Sequence, residues 1–136
     1  MDAPDTTFLH ALADECVNLV SRQFDRTLDW SAESLTTLDE VCAALLAEGP
    51  LTDERRDLWW KLIGAYTGEV VIRAHGGAWV EHETSPGAPA VSALGVTGFP
   101  FGLAARILDG EPHKSLASFA RALPAIAANS ESGSGS

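Results

Sequence analysis

The stretch GAYTGEVVIRAHGGAWVEHE, residues 64 to 83, decides the fold, because the point where its helical pattern stops settles whether the chain carries a sheet. Upstream of it, the charged turn TDERRD (52–57) gives way to Trp59, Leu62, Ile63 and Tyr66, and Val70 and Ala74 continue that stripe at steps of four. Gly64 and Gly68 each weaken a helix by about 1 kcal/mol relative to alanine. The next strong stop, however, is Gly76-Gly77, a suitable left-handed cap, so the spacing predicts one helix from Thr52 or Asp53 to about His75. After the glycine pair the period changes to two. Trp79, Glu81 and Glu83 point one way and Ala78, Val80 and His82 the other, as in a strand. TSPGAP (84–89) is a turn, and AVSALGV (90–96) reads as the returning strand of a hairpin near 77–97.

Toward the N-terminus, Phe8, Leu12, Cys16, Leu19, Val20 and Phe24 recur at steps of three and four and predict a helix from Asp5 to about Gln23. DRTLDWSAES (25–34) reads as an extended link, followed by a second helix to about Glu48 with Leu35, Leu38, Cys42 and Leu45 inward, closed by Gly49-Pro50. Toward the C-terminus, Phe99 is held extended by Pro100, which opens a short helix through about Leu108. Pro112 opens a last helix with Leu116, Phe119, Ala120 and Leu123 on one face, and Pro124 kinks or ends it. The fold class expected is therefore α+β, helices packed on a small antiparallel sheet. One domain covers 1–128, and the Ser/Gly-rich tail 129–136 is expected to be disordered.

A chain of 136 residues can remove roughly two-thirds of its unfolded surface from water, so it needs no staple. Cys16 and Cys42 fall on buried helix faces and are expected as free thiols. No apolar run reaches the roughly 18 residues of a membrane helix, and the acidic N-terminus does not resemble a secretory signal, so a cytoplasmic location with no membrane partner is expected. Nineteen acids against nine bases give a net charge of −10 with no basic cluster. Phosphate contacts by Lys and Arg carry most nucleic-acid affinity, so DNA and RNA are disfavoured as partners. A basic protein is compatible with the charge.

No motif points to a reaction. The histidines at 10, 75, 82 and 113 lack the paired spacing of a zinc site, so no metal or other cofactor is expected, although His75 and His82 flank one turn beside Glu81 and Glu83. Ser85 and Ser92 stand in no nucleophile motif. GVTGFPFG (95–102) lacks the spacing of a phosphate loop; Gly95 and Gly98 are expected to let the chain leave the sheet, with Phe99 and Phe101 as apolar anchors. Glu81 and Glu83 lie about 7 Å apart on one strand face, which more simply means a solvated side. Glu69 and Arg73 are spaced for an ion pair. Gly64-x-x-x-Gly68 is expected to let the long helix approach a neighbouring helix or the sheet closely.

LDWSAESLTTLDEVCAALL (28–46) and GAYTGEVVIRAHGGAWVE (64–81) together resemble a family of small bacterial domains of unknown function. Their pattern runs L-D-[aromatic]-S-x-x-S-L, then G-x-x-x-G-E, then G-G-x-W. GVTGFPFGLAARILDGE (95–111) is similar in style, and the resemblance covers roughly 27–123. It implies an α+β domain and no particular reaction. Thr67 departs from the apolar residue expected between the two glycines.

The leading expectation is a non-enzymatic protein-interaction module. Trp60 is the candidate contact residue, because adjacent tryptophans on a helix point about 100° apart and Trp59 and Trp60 cannot both centre one stripe. The alternative is a small-ligand-binding protein or minor enzyme with a pocket between hairpin and helices, lined by Tyr66, Trp79, Glu81 and Arg106. A homodimer is a third expectation.

Overall fold

The computed structural model describes residues 6–81 and 89–134, with side chains through residue 128. Its elements in chain order are α1 (Thr6–Phe24), α2 (Ser34–Ala47), α3 (Asp53–His75), β1 (Ala78–Val80), β2 (Ala90–Ala93), β3 (Val96–Gly98), α4 (Pro100–Leu108) and α5 (Leu116–Ser134). The strands form one antiparallel sheet in the order β1-β2-β3. The fold is α+β, as the change of period at Gly76-Gly77 implies.

The long helix α3 is the axis of the molecule. The Thr52 side chain accepts from the Arg55 N–H at its start, Asp53 and Glu54 sit in its first turn, and Arg73 and His75 in its last, each favourable for the helix dipole. Gly76, at φ +70°, closes it by donating to the Ile72 carbonyl. Every residue from Leu62 to Val71 is buried. A helix that is buried all round must be covered on more than one side, and α1, α4 and β2 all pack against this one. The single stripe read from Tyr66, Val70 and Ala74 therefore understates the burial, and Ala74 itself is exposed.

Two rings press into α3 where it lacks side chains. The Phe101 ring from α4 lies against Gly64, and the Trp79 ring from β1 against Gly68; a methyl group at either glycine would overlap the ring. The close approach expected of the two glycines is thus made once by a helix and once by the sheet. Between them Thr67 is fully buried, and its hydroxyl has no hydrogen-bond partner among the described residues. A buried polar atom left unpaired costs about 1–3 kcal/mol. Thr67→Val keeps the branched shape and removes that atom, so it is expected to raise stability by about 1 kcal/mol. A urea melt showing Thr67→Val to be the less stable protein would mean that the hydroxyl finds a partner in solution.

The returning segment of the hairpin departs from expectation. Residues 90–96 are not one strand: Leu94 (φ +56°) and Gly95 (φ +76°) make a two-residue turn, and Ala93 pairs with Val96 across it. Two left-handed residues match the twist of flanking strands, which is why such turns join antiparallel pairs. Leu94 is an uncommon residue for that conformation, so the sequence gives no turn signal there, and the hairpin becomes a three-stranded meander. Gly95 accordingly serves a turn within the sheet, not an exit from it.

Helix α5 also begins later than expected, at Leu116 and not at Pro112. Its cap comes from α2. Asp39 accepts from the Leu116 N–H (2.8 Å), the Ala117 N–H (3.2 Å) and the Ser115 hydroxyl (2.8 Å). A carboxylate on free N–H groups at a helix start is worth about 1 kcal/mol, and here it also ties α5 to α2. Pro124 lies on the exposed side of α5 and does not end it; the helix continues to Ser134, into the segment read as a tail.

Candidate functional site

Three elements leave a groove on the surface. Its floor is β3 with Gly98, one wall is the α4 face carrying Gly102, Leu103 and Arg106, and the other is the α5 face with Phe119, Ala122 and Ile126. The volume is about 480 Å³. Each part has a local cause. Gly98 has no side chain because the Phe119 ring occupies that space, which holds α5 against the sheet. Pro100 starts α4 immediately after β3, so Gly102 and Arg106, one turn apart, share a face beside the strand. Residues 119, 122, 123 and 126 are spaced at three, four and seven, one stripe of α5. Ile126 is exposed.

Arg106 is the one charged residue of this lining. Among the described residues its side chain makes no ion pair, whereas Arg22, Arg26, Arg55, Arg56 and Lys61 each meet a carboxylate. Arg73 lies over the Trp30 ring at 4.1 Å and Arg121 donates to Ser118. The acids are also unevenly placed, despite the interleaving visible elsewhere. From residue 84 to 108, and again from 112 to 130, the chain has none. The groove is built from these two acid-free segments, on a chain that carries 19 acids in all.

The four residues expected to line a pocket do not converge there. Arg106 lines the groove, but Tyr66, Trp79 and Glu81 do not. Tyr66 is fully buried and held by Trp30 and Ser34, Trp79 is buried against α3, and Glu81 is exposed just beyond β1. Trp60 is half-buried at the junction with α4, its indole N–H donating to the Phe101 carbonyl (2.8 Å) and its ring edge-on to Phe101. His82, Glu83 and Ser85 lie outside the described residues.

Two buried polar networks account for the motifs that looked most suggestive in sequence. In the first, Glu69 does not pair with Arg73. Its carboxylate accepts from the Trp79 indole N–H (2.8 Å) and meets His10 Nδ1 on α1 (2.9 Å). Glu69 is almost wholly buried while the His10 side chain is 55% exposed, so the pair joins α1, α3 and β1 at a point reached by solvent only from the histidine side. In the second, the Ser34 hydroxyl donates to the Ser31 carbonyl (2.6 Å). Having only one proton, it must accept from the Tyr66 hydroxyl (2.6 Å), and Tyr66 then accepts the Trp30 N–H (2.8 Å). Burial raises the Tyr66 pKa. Asp29, held below the usual carboxylate range by hydrogen bonds from Ser31, shapes the turn before α2. Trp30 takes φ +70° to reach this arrangement and lies between Tyr66 and Arg73. The L-D-W-S-x-x-S pattern is therefore a joint between α2 and α3.

Cys16 and Cys42 are free and buried. Burial, and secondly the Cys42 thiol, raises the pKa of Cys16; burial pushes Cys42 up to about 12. Such thiols are inert as nucleophiles. Among the described residues, no three of His, Cys, Asp and Glu gather into a group that could hold a metal ion, and no helix is long and apolar enough to cross a membrane.

No protein family, curated protein or solved structure matches the chain. The groove residues on α5 carry no motif. The signal that could have marked them is the run of nineteen residues, 112–130, without an acid in so acidic a chain.

Proposed function

We propose that the protein is a non-enzymatic interaction module that receives an apolar element of another protein in the groove between β3, α4 and α5. The observation that carries this reading is the groove itself, open to solvent and lined by apolar residues apart from Thr97 and Arg106, whose guanidinium makes no ion pair among the described residues, on the acid-free part of an acidic chain. Apolar surface that lies open and continuous across several elements marks interaction sites more often than isolated exposed residues do.

The test compares the wild-type chain with Ile126→Glu, a change at an exposed position that places a carboxylate on the groove wall. Both are immobilised and challenged with lysate at moderate salt. A protein retained in stoichiometric amount by the wild type and lost from the variant is the expected result. Retention by both alike would move the contact elsewhere, with the exposed Phe8 and the half-buried Trp60 as the next positions to alter.

A second reading, a small-ligand-binding protein, draws on the volume. About 480 Å³ is within the range of roughly 300–1,000 Å³ for ligand pockets. It predicts thermal stabilisation by a small amphiphile, and that this stabilisation disappears in Ile126→Glu.

A further inference from the structure

Net charge suggests a basic partner, but a partner meets local charge. At the groove that charge is positive, since Arg106 is the one charged residue of the lining and stands without an ion pair among the described residues. The nearest acids in sequence are Asp109 and Glu111, past the end of α4, and Glu131, farther along α5 than Ile126; Asp109 is already engaged with Arg56 at 2.9 Å. The shape is equally specific. Gly102 and Ala122, both exposed, leave room for another backbone to come close, while Leu103, Phe119 and Ile126 offer apolar contacts along the groove. An open trough between two helices, with side chains on one wall at helical spacing, is the geometry that receives the apolar face of a third helix. A small molecule would be left largely uncovered in it, whereas ligand pockets enclose most of their occupant.

We infer that the groove takes an acidic amphipathic helix, one whose apolar stripe is flanked by carboxylates placed to meet Arg106. The inference rests on the interaction reading above and adds the sign of the partner's charge. Arg106 then forms a carboxylate pair whose geometry can be bidentate, and the acid-rich remainder of the domain repels any wrong placement of the partner.

Gly102 supplies a clean block. A methyl group added there meets only the Phe99 Cβ, at 3.7 Å, which is ordinary contact. Gly102→Leu is therefore compatible with the fold and favoured by helix propensity, yet it fills the trough.

The experiment uses two fluorescein-labelled synthetic peptides with the same leucine stripe, one flanked by glutamate and one by lysine, titrated with the full chain and followed by anisotropy. Dodecanoate is added as a competitor. The glutamate peptide is expected to bind about tenfold more tightly than the lysine peptide, with the preference shrinking at high salt. Arg106→Glu is expected to reverse the preference, and Gly102→Leu to abolish binding while circular dichroism and melting remain those of a folded protein. Equal or tighter binding of the lysine peptide, blocked by Gly102→Leu, would overturn the acidic-helix inference and leave the groove reading standing. Peptide binding that Gly102→Leu does not affect would overturn both. If neither peptide binds while dodecanoate stabilises the wild type and not Gly102→Leu, the occupant is a small amphiphile and the inference fails.

Discussion

Gly68→Ala is expected to destabilise the wild-type protein by about 2 kcal/mol and to stabilise the Trp79→Ala variant by about 1 kcal/mol. In an ordinary helix interior the substitution is favourable, because alanine loses less backbone entropy than glycine. Here the new methyl would enter the Trp79 ring, which cannot swing aside without releasing its indole N–H from the buried Glu69 carboxylate. Trp79→Ala alone should cost about 4 kcal/mol, the usual scale for removing a buried aromatic ring, and it also withdraws a donor from Glu69. With the ring gone, the methyl has space and only the helix preference remains. Urea denaturation of the two single variants and the double variant gives the coupling directly. Gly68→Ala effects of the same sign in both backgrounds would show that the glycine is not there to admit the ring.

The second large effect is a loss of stability in alkali. In the unfolded chain the two thiols ionise near about pH 8.5, whereas in the folded chain burial raises both well above that. A raised folded pKa means that the full contribution is present below the unfolded value. Above it the unfolded state sheds protons that the folded state retains, and stability falls at about 1.4 kcal/mol per pH unit for each group. The pair should therefore remove about 4 kcal/mol between pH 7.5 and pH 10, with Tyr66 adding in the same direction at higher pH. Urea melts under reducing conditions across that range measure the slope. The Cys16→Ala/Cys42→Ala protein, though less stable at neutral pH, should show a clearly flatter profile, and an unchanged slope would exclude the thiols as its cause.

Much of the helical framework was legible because its signals are local. The span of α3 follows from Thr52 at one end and Gly76-Gly77 at the other, and α4 from Pro100, each acting on neighbouring backbone. The features that escaped depend on contacts across the chain. Nothing near Leu116 in sequence says that Asp39, on another helix, will cap α5 there. Nor does the spacing of Glu69 and Arg73 reveal that a tryptophan and a histidine from two other elements compete for the carboxylate and win. Leu94 escaped for a different reason: a leucine in the left-handed region is a cost that the sheet imposes, and composition shows only the residue.

The candidate site divides the same way. Arg106 can be named from the sequence as a charge beside the hairpin, but Tyr66, Trp79 and Glu81, named with it as pocket lining, do not line the groove. Two of the three are committed to the interior, where Tyr66 completes a chain of hydrogen bonds and Trp79 fills the space left by Gly68. The groove instead recruits residues that look like ordinary core in sequence, Leu103 and Phe119, and becomes visible only once β3 and the two last helices are placed side by side.

The placement of the acids also bears on adsorption: no acid falls within β2, β3 or α4, and none within α5 before Glu131. A positively charged support, such as an anion-exchange bead or an amine-coated sensor chip, therefore has to hold the molecule through carboxylates of its other elements. The residues that line the groove supply no anchoring charge of their own to such a surface.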